Sequence, residues 1–293
     1  MVRFTAERRE FTFEDADGVR VSYYGWTTGR PKALVQVLHG LGEYAGRYEE
    51  LAQELVNAGY SVYADDHRGH GQTGLAQWDG DTTKLGKLGP GGQHATIRAI
   101  HQLTGILGAE HPGVPVVLLG HSWGSLLGQI LINKHAEDYD GLVLTGTAYR
   151  LPGYMNGGAL NKRHAHLGTT GFEWLSRDTE VARRFQEDPL CFDANARKLF
   201  GYKEALRLIG LPKRLKKDLP ILIAIGSEDS LGGEASVRRL AASYVKRARA
   251  SDVTAIIYPD ARHEIFNETN RDEVFSDLIE WLDARFGASR PGD

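Results

Sequence analysis

The apolar run Val116, Val117, Leu118, Leu119 passes directly into Gly120, His121, Ser122, Trp123 and Gly124, and then into Leu126, Leu127, Gln129, Ile130 and Leu131. Four apolar residues in a row fit a strand buried on both faces, and the spacing after Gly124 fits a helix. Joining the two within five residues demands a turn sharper than most side chains tolerate. Glycine two positions to either side of Ser122 removes the Cβ atoms that would block it. A serine on such a strained turn holds its hydroxyl exposed above the sheet edge. The pattern constrains the chain to strand–turn–helix architecture and makes Ser122 its first candidate nucleophile.

The rest of the chain repeats that alternation. Residues 11–13 and 19–24 read as an opening antiparallel hairpin, turned at Asp17 and Gly18. Further strands are expected at 33–38, 61–64, 142–144, 221–225 and 253–257. Helices are expected at 48–58, 96–109, after Ser122, from about 234 to 247, and at 273–286. Continuous apolar strands separated by helices predict an α/β fold, with a mostly parallel central sheet and helices on both faces. Sites in such sheets gather beyond the strand carboxyl ends.

One stretch breaks the rhythm. Residues 149–219 are too many for a connection without structure of its own. They hold helix-compatible segments at 172–175, 181–185 and 194–209, and read as an inserted helical cap. The expected division is a core of 1–148 and 220–293 with a cap of 149–219. Here Phe172, Trp174 and Leu175 are candidates to line an acyl channel, the alternative being that aromatics at helical spacing belong to the core. The glycine-rich segment 79–92 reads as a mobile loop, because it lacks the Gly-Lys-Ser/Thr ending of a phosphate-binding loop.

Composition removes several function classes. With 293 residues, 41% of them hydrophobic, the chain can bury one large core with an inserted subdomain. A net charge of -3 gives no electrostatic case for nucleic acid. Cys191 is the single cysteine, so an internal disulfide is excluded, and no Cys/His spacing suggests zinc. No metal and no cofactor are expected. Arg3, Arg8 and Arg9 are followed by no apolar stretch, so neither a signal peptide nor a membrane span is expected. The expectation is a cytoplasmic protein, touching a lipid interface at most transiently through its cap.

A serine hydroxyl attacks well only when a base takes its proton. In sheets built around such a serine turn, the chain order is nucleophile, acid, histidine. The histidines beyond Ser122 are His135, His164, His166 and His263, and only His263 follows a late strand and precedes the last helix. The orienting acid belongs in the loop after residues 221–225, where Glu228 and Asp229 stand side by side. Ester attack creates an oxyanion, which needs donors already aimed at it. The Trp123 N–H is one; the Leu41 N–H, in the loop His39, Gly40, Leu41, Gly42, is the expected second, with His39 bracing that loop.

The stretch His39, Gly40, Leu41, Gly42, Glu43, Tyr44, Ala45, Gly46, Arg47, Tyr48 resembles the His-Gly-x-Gly-Glu segment of monoacylglycerol lipases. The stretch Asp65, Asp66, His67, Arg68, Gly69, His70, Gly71, Gln72, Thr73, Gly74 resembles their Asp-x-x-Gly-His-Gly-x-Ser segment. The serine turn, the Gly-Ser-x-Asp turn at 226–229 and the Ala-Arg-His-Glu run at 261–264 complete the set. These matches span nearly the whole chain outside the cap, and together they resemble the monoacylglycerol lipase and lysophospholipase-like group of α/β-hydrolases.

That resemblance implies an α/β-hydrolase fold and cofactor-free hydrolysis of a small acyl ester, most often a monoacylglycerol. It carries the triad onto Ser122, Asp229 and His263, favouring Asp229 over Glu228 because the family turn holds its acid at that second position. It carries the oxyanion hole onto Leu41 and Trp123. Glu43 and Arg47 match a charged pair near the family's polar head-group end, to bind substrate there or simply to brace the loop. Trp123 replaces a common methionine and would narrow the acyl entrance. Ser125 replaces a usual glycine and Ala99 a frequent acid, both matters of packing. Activity is expected to fall as pH drops through about 6 to 7, where the histidine base protonates. The alternatives are a general carboxylesterase, or a lysophospholipase using the cap cations Arg150, Lys162, Arg163, Arg177, Arg183 and Arg184 for its phosphate. More remote is a ligand receptor without catalysis.

Overall fold

A computed structural model describes residues 5–193 and 195–287. Arg3 of the amino-terminal reading, and Ala194 at the expected start of the last cap helix, lie outside them. Eight strands form one sheet: β1 (Arg8–Glu14), β2 (Arg20–Trp26), β3 (Leu34–Leu38), β4 (Ser61–Asp65), β5 (Val116–His121), β6 (Gly141–Thr145), β7 (Ile221–Gly226) and β8 (Val253–Tyr258). Their spatial order is β1-β2-β4-β3-β5-β6-β7-β8. The β1–β2 and β2–β4 pairings are antiparallel, and every later pairing is parallel.

Side chains alternate across a strand, so each strand of this sheet feeds two cores. Leu34, Leu38 and Leu118 pack with α3 (Gly92–Glu110) and α4 (Trp123–His135) on one face. Val35, Val37, Val117 and Leu119 pack with α1 (Glu49–Asn57) and α8 (Arg271–Phe286) on the other. Burying one such side chain contributes roughly 1.5–3 kcal/mol. With helices on both faces, the site can open only at the carboxyl ends of β3, β5, β6, β7 and β8.

Several elements depart from expectation, each for a local reason. The helix α2 (Gly71–Gln77) was hidden by its glycines. Gly74 is needed there because a Cβ would fall 2.5 Å from the Gly69 backbone. Residues 79–92 are not a free loop. They carry a 3-10 turn at Thr82–Lys84, are tied back by Gly86 N–H to Gly69 O at 2.8 Å, and give their last residue to α3. Beyond β7, α7 (Gly233–Ser243) runs on into a π turn at Tyr244–Ala248 and stops at Arg249, whose φ is 64°.

Between β6 and β7 the chain leaves the sheet altogether. This excursion holds α5 (Thr179–Glu187) and α6 (Ala196–Leu206), and α6 is interrupted at Gly201, where φ is 75°. Residues 172–175 make a turn rather than a helix, closed by Leu175 N–H to Phe172 O at 3.0 Å. Among the described residues, no helix is long and apolar enough to cross a membrane.

Candidate active site

Ser122 joins β5 to α4 with φ 52° and ψ −122°, a conformation that costs on the order of 1–3 kcal/mol for a residue with a side chain. The flanking glycines are compulsory. A Cβ at Gly120 would fall 2.6 Å from Gly124 O, and one at Gly124 would run into Leu38 O. The turn is held by Ser122 N–H to Thr145 O at 3.0 Å and by Ser125 N–H to Ser122 O at 2.9 Å. Ser125 Oγ adds a bond to the same carbonyl at 2.6 Å and lies 2.8 Å from Thr147 Oγ1, so the serine that replaces a family glycine braces the turn.

Asp229 and His263 meet at the ends of β7 and β8. His263 Nδ1 donates to Asp229 Oδ1 at 2.9 Å, and the same oxygen accepts the Leu231 N–H at 2.8 Å. Both side chains are buried. With its proton on Nδ1, the ring leaves Nε2 as a base, and that nitrogen has no hydrogen-bond partner. Burial alone would lower the His263 pKa. The Asp229 carboxylate, helped by Glu264 and Glu43, outweighs burial and raises it above the usual value. Ser122 and His263 both lie against the Thr145–Gly146 turn: a Cβ at Gly146 would sit 2.9 Å from His263 Cε1. Within this site lies His121 as well, its ring centre 4.7 Å from that of His263; burial, reinforced by His263, pushes its pKa well down.

The other candidate bases and acids sit elsewhere. Glu228 forms an ion pair with Arg163, and its carbonyl accepts from His164 Nε2 at 3.1 Å. His166 is exposed, and His135 lies at the far end of α4.

The loop after β3 is tied down from below. The Gly40 N–H donates to Glu43 Oε1 at 2.6 Å, Tyr48 Oη donates to the same atom at 2.8 Å, and Arg47 Nη1 reaches Glu43 Oε2 at 2.7 Å. Arg47 also grips Glu264 with two bonds, at 2.6 and 2.8 Å. Burial pushes the Glu264 carboxyl up, but that guanidinium overrides burial and holds it at about 2. Glu43, buried beside the charge of Glu264, is raised despite Arg47. Glu43 and Arg47 thus form a buried brace between two loops, which fits the bracing reading of this pair. His39 braces too, with Nδ1–H donating to Gly40 O at 2.7 Å and Nε2 accepting the His67 N–H at 2.9 Å.

Above Ser122 opens a cavity of about 220 Å³. Leu41, Ser122, Trp123 and Leu126 come to it from the sheet side, and Leu151, Met155, Leu206, Leu208 and Ile209 are among those from the excursion. Trp123 heads α4, so its N–H is one that helix hydrogen bonding leaves free. Its indole donates to Gln93 Oε1 at 3.1 Å, which fixes the ring as one wall of the cavity. Of the two readings of Phe172, Trp174 and Leu175, the structure fits the core and not the channel. They pack with Phe185 in a separate cluster outside the cavity, and the Trp174 ring lies 4.5 Å from that of His263. The turn at 172–175 also receives the Glu264 N–H on Leu175 O at 2.7 Å, so it backs the histidine loop.

Residues 29–270 match the family described as serine aminopeptidase S33. A monoacylglycerol lipase of Mycolicibacterium smegmatis is 30% identical to the chain, over 95% of it and 98% of the relative. The human monoglyceride lipase is 29% identical, over 92% and 89% respectively. The carboxyl esterase of Bacillus coagulans, crystallised with glycerol, superposes with a TM-score of 0.79 at 25% identity, covering 96% of this chain and all of that one. The chain belongs to this family of α/β-hydrolases.

Two features of this hydrolase escaped the sequence reading. The partner of Arg47 is Glu264, whose only signal was its place beside His263. Arg197, on α6, lines the cavity and was not among the cap cations considered. Of those considered, Arg150 bonds Gln129 and Leu208 O, Arg177 pairs with Glu268, and Arg183 and Arg184 pair with Glu180. None of the six lines the cavity.

Proposed function

We propose that this chain is a serine ester hydrolase that cleaves monoacylglycerols through an acyl-enzyme on Ser122, with residues 149–219 acting as a cap over the acyl chain. The observation that carries the reading is the Asp229–His263 pair, its outer nitrogen unpartnered, beside a strained serine on the floor of an apolar cavity. The monoacylglycerol lipase relatives give the substrate class.

In this mechanism His263 Nε2 takes the Ser122 proton as Oγ bonds to the ester carbonyl carbon. The carbonyl oxygen becomes an oxyanion, received by the N–H groups of Leu41 and Trp123; each donor is worth about 10²–10³ in rate. The C–O bond then breaks, His263 returns the proton to the leaving alcohol, and water repeats the sequence to release the fatty acid. Asp229 keeps the ring in one tautomer and offsets its positive charge.

Two features separate this reading from others. No carboxylate lines the cavity among the described residues, so the ammonium group of an aminopeptidase substrate has no counter-charge there. Among the described residues Arg197 is the one cation on its wall, and the rest of the lining is mainly apolar, which suits an uncharged glyceride better than a lysophospholipid phosphate. Tyr202 and Leu206, also on that wall, are 75% and 61% exposed, which suits brief contact with a lipid surface.

The test is a side-by-side assay of a monoacylglycerol, lysophosphatidylcholine, a short p-nitrophenyl ester and an amino-acid p-nitroanilide, with fluorophosphonate labelling of Ser122. The monoacylglycerol should give the highest kcat/KM and the anilide none. Labelling that persists in Ser122→Ala, or preference for the anilide, would overturn the reading.

A further inference from the structure

At the opposite end of α4 from Ser122, two histidines and an aspartate converge. His101 lies midway along α3, His135 is the last residue of α4, and Asp138 closes the 3-10 turn Ala136–Asp138 that follows. The two imidazole rings stack with centres 3.9 Å apart. Both reach for one carboxylate oxygen: His101 Nε2 lies 2.8 Å and His135 Nδ1 4.0 Å from Asp138 Oδ2. One ligand atom from each of the three residues lies within 4.8 Å of the other two.

We propose that His101, His135 and Asp138 form a surface binding site for a divalent transition metal of the zinc, nickel or copper(II) kind. Two imidazole nitrogens and one carboxylate favour these ions over magnesium or calcium, which prefer all-oxygen shells. With both rings neutral, as ligation requires, the set carries one negative charge, and solvent completes the coordination. In a tetrahedral shell with bonds of about 2.0–2.1 Å, ligand atoms sit roughly 3.4 Å apart, so His135 Nδ1 must close on Asp138 Oδ2 by about 0.6 Å while His101 Nε2 moves away from it by about as much. Their side chains are 33–44% exposed and have room to rotate. Glu137, the next carboxylate along, is engaged by Lys216 at 2.6 Å and stays outside the set.

The site has no part in ester cleavage. The 13 residues of α4, at about 1.5 Å each, put it roughly 20 Å from Ser122. An ion there staples α3 to the carboxyl end of α4. Both helices lie on the same face of the sheet, so binding stabilises the folded state.

Thermal unfolding of the wild-type protein, His101→Ala and Asp138→Asn, each with EDTA, zinc or magnesium at neutral pH, tests the proposal. Because the substitutions are at the surface, the variants should unfold near the wild-type Tm in EDTA. Zinc well above its dissociation constant should raise the wild-type Tm by several degrees, magnesium should not, and either variant should lose most of the rise. Electron paramagnetic resonance of the copper(II) form should show coupling to two imidazole nitrogens in the wild type and to one in His101→Ala. An equal zinc shift in all three proteins would place binding elsewhere and overturn the site. So would the absence of any wild-type shift in millimolar zinc.

Discussion

The wall of the site built from strand ends and the wall built from the β6–β7 excursion differ in how their groups are held. On the strand side, the Gly40 N–H is clamped by Glu43, Asp229 is fixed by the Leu231 N–H and His263, and the Ser122 turn is bonded at both of its ends. Across the cavity the lining is mainly apolar, α6 is interrupted at Gly201, and Tyr202 and Leu206 stand largely in solvent. Reacting atoms must be placed to within a fraction of an ångström, whereas an acyl chain needs only a dry channel of suitable size. Strong local rules govern the first wall, and loose packing suffices for the second.

Substitutions that strike one wall at a time can break this contrast or sharpen it. Ser122→Ala should lower kcat on a p-nitrophenyl ester by roughly 10⁴ to 10⁶ while leaving Tm within a few degrees. A fall of tenfold or less would remove the serine from the chemistry. Arg47→Met leaves two buried carboxylates facing each other and should destabilise the fold by about 3–5 kcal/mol in urea unfolding. A loss below about 1 kcal/mol would mean that the brace is not what holds the strand-side loops.

The pH profile tests the electrostatics of the same wall. In the proposed mechanism attack needs neutral His263, and its pKa is raised, so kcat/KM should be flat at high pH and fall about tenfold per unit below an inflection above 6.5. Asp229→Asn, which removes the main raising charge, should move that inflection down as it slows turnover. An inflection unmoved by that change would separate the pair. On the opposite wall, Leu206→Ser should alter the preference between short and long acyl chains only several-fold, with Tm almost unchanged, because its side chain is already exposed. A hundredfold loss on every chain length would show that this wall is as constrained as the other.

The same contrast explains what was legible in the sequence. The strands near the site announced themselves because a buried parallel strand must be continuously apolar, as Val116 to Leu119 and Ile221 to Ile225 are. Ser122 was legible because its backbone angles demand glycine neighbours, and the two positions flanking it have no freedom. Asp229 was harder: Glu228 beside it is the same chemistry one residue away, and only the fold decides which side chain turns inward. The excursion was least legible. Aromatic spacing at Phe172 and Trp174 says that these residues are buried but not against what, and they are buried against the histidine loop. The cavity is lined instead by Leu151, Met155 and Leu208, scattered residues with no pattern that sequence alone can read.

The grip of Arg47 on Glu264 spans 217 positions of chain. At a synthesis rate of about 5–20 residues per second, the first of these groups waits roughly 10–40 seconds for the second to emerge from the ribosome. Until Glu264 emerges, Arg47 has only Glu43 to pair with, so this brace between two loops closes late in the chain's synthesis.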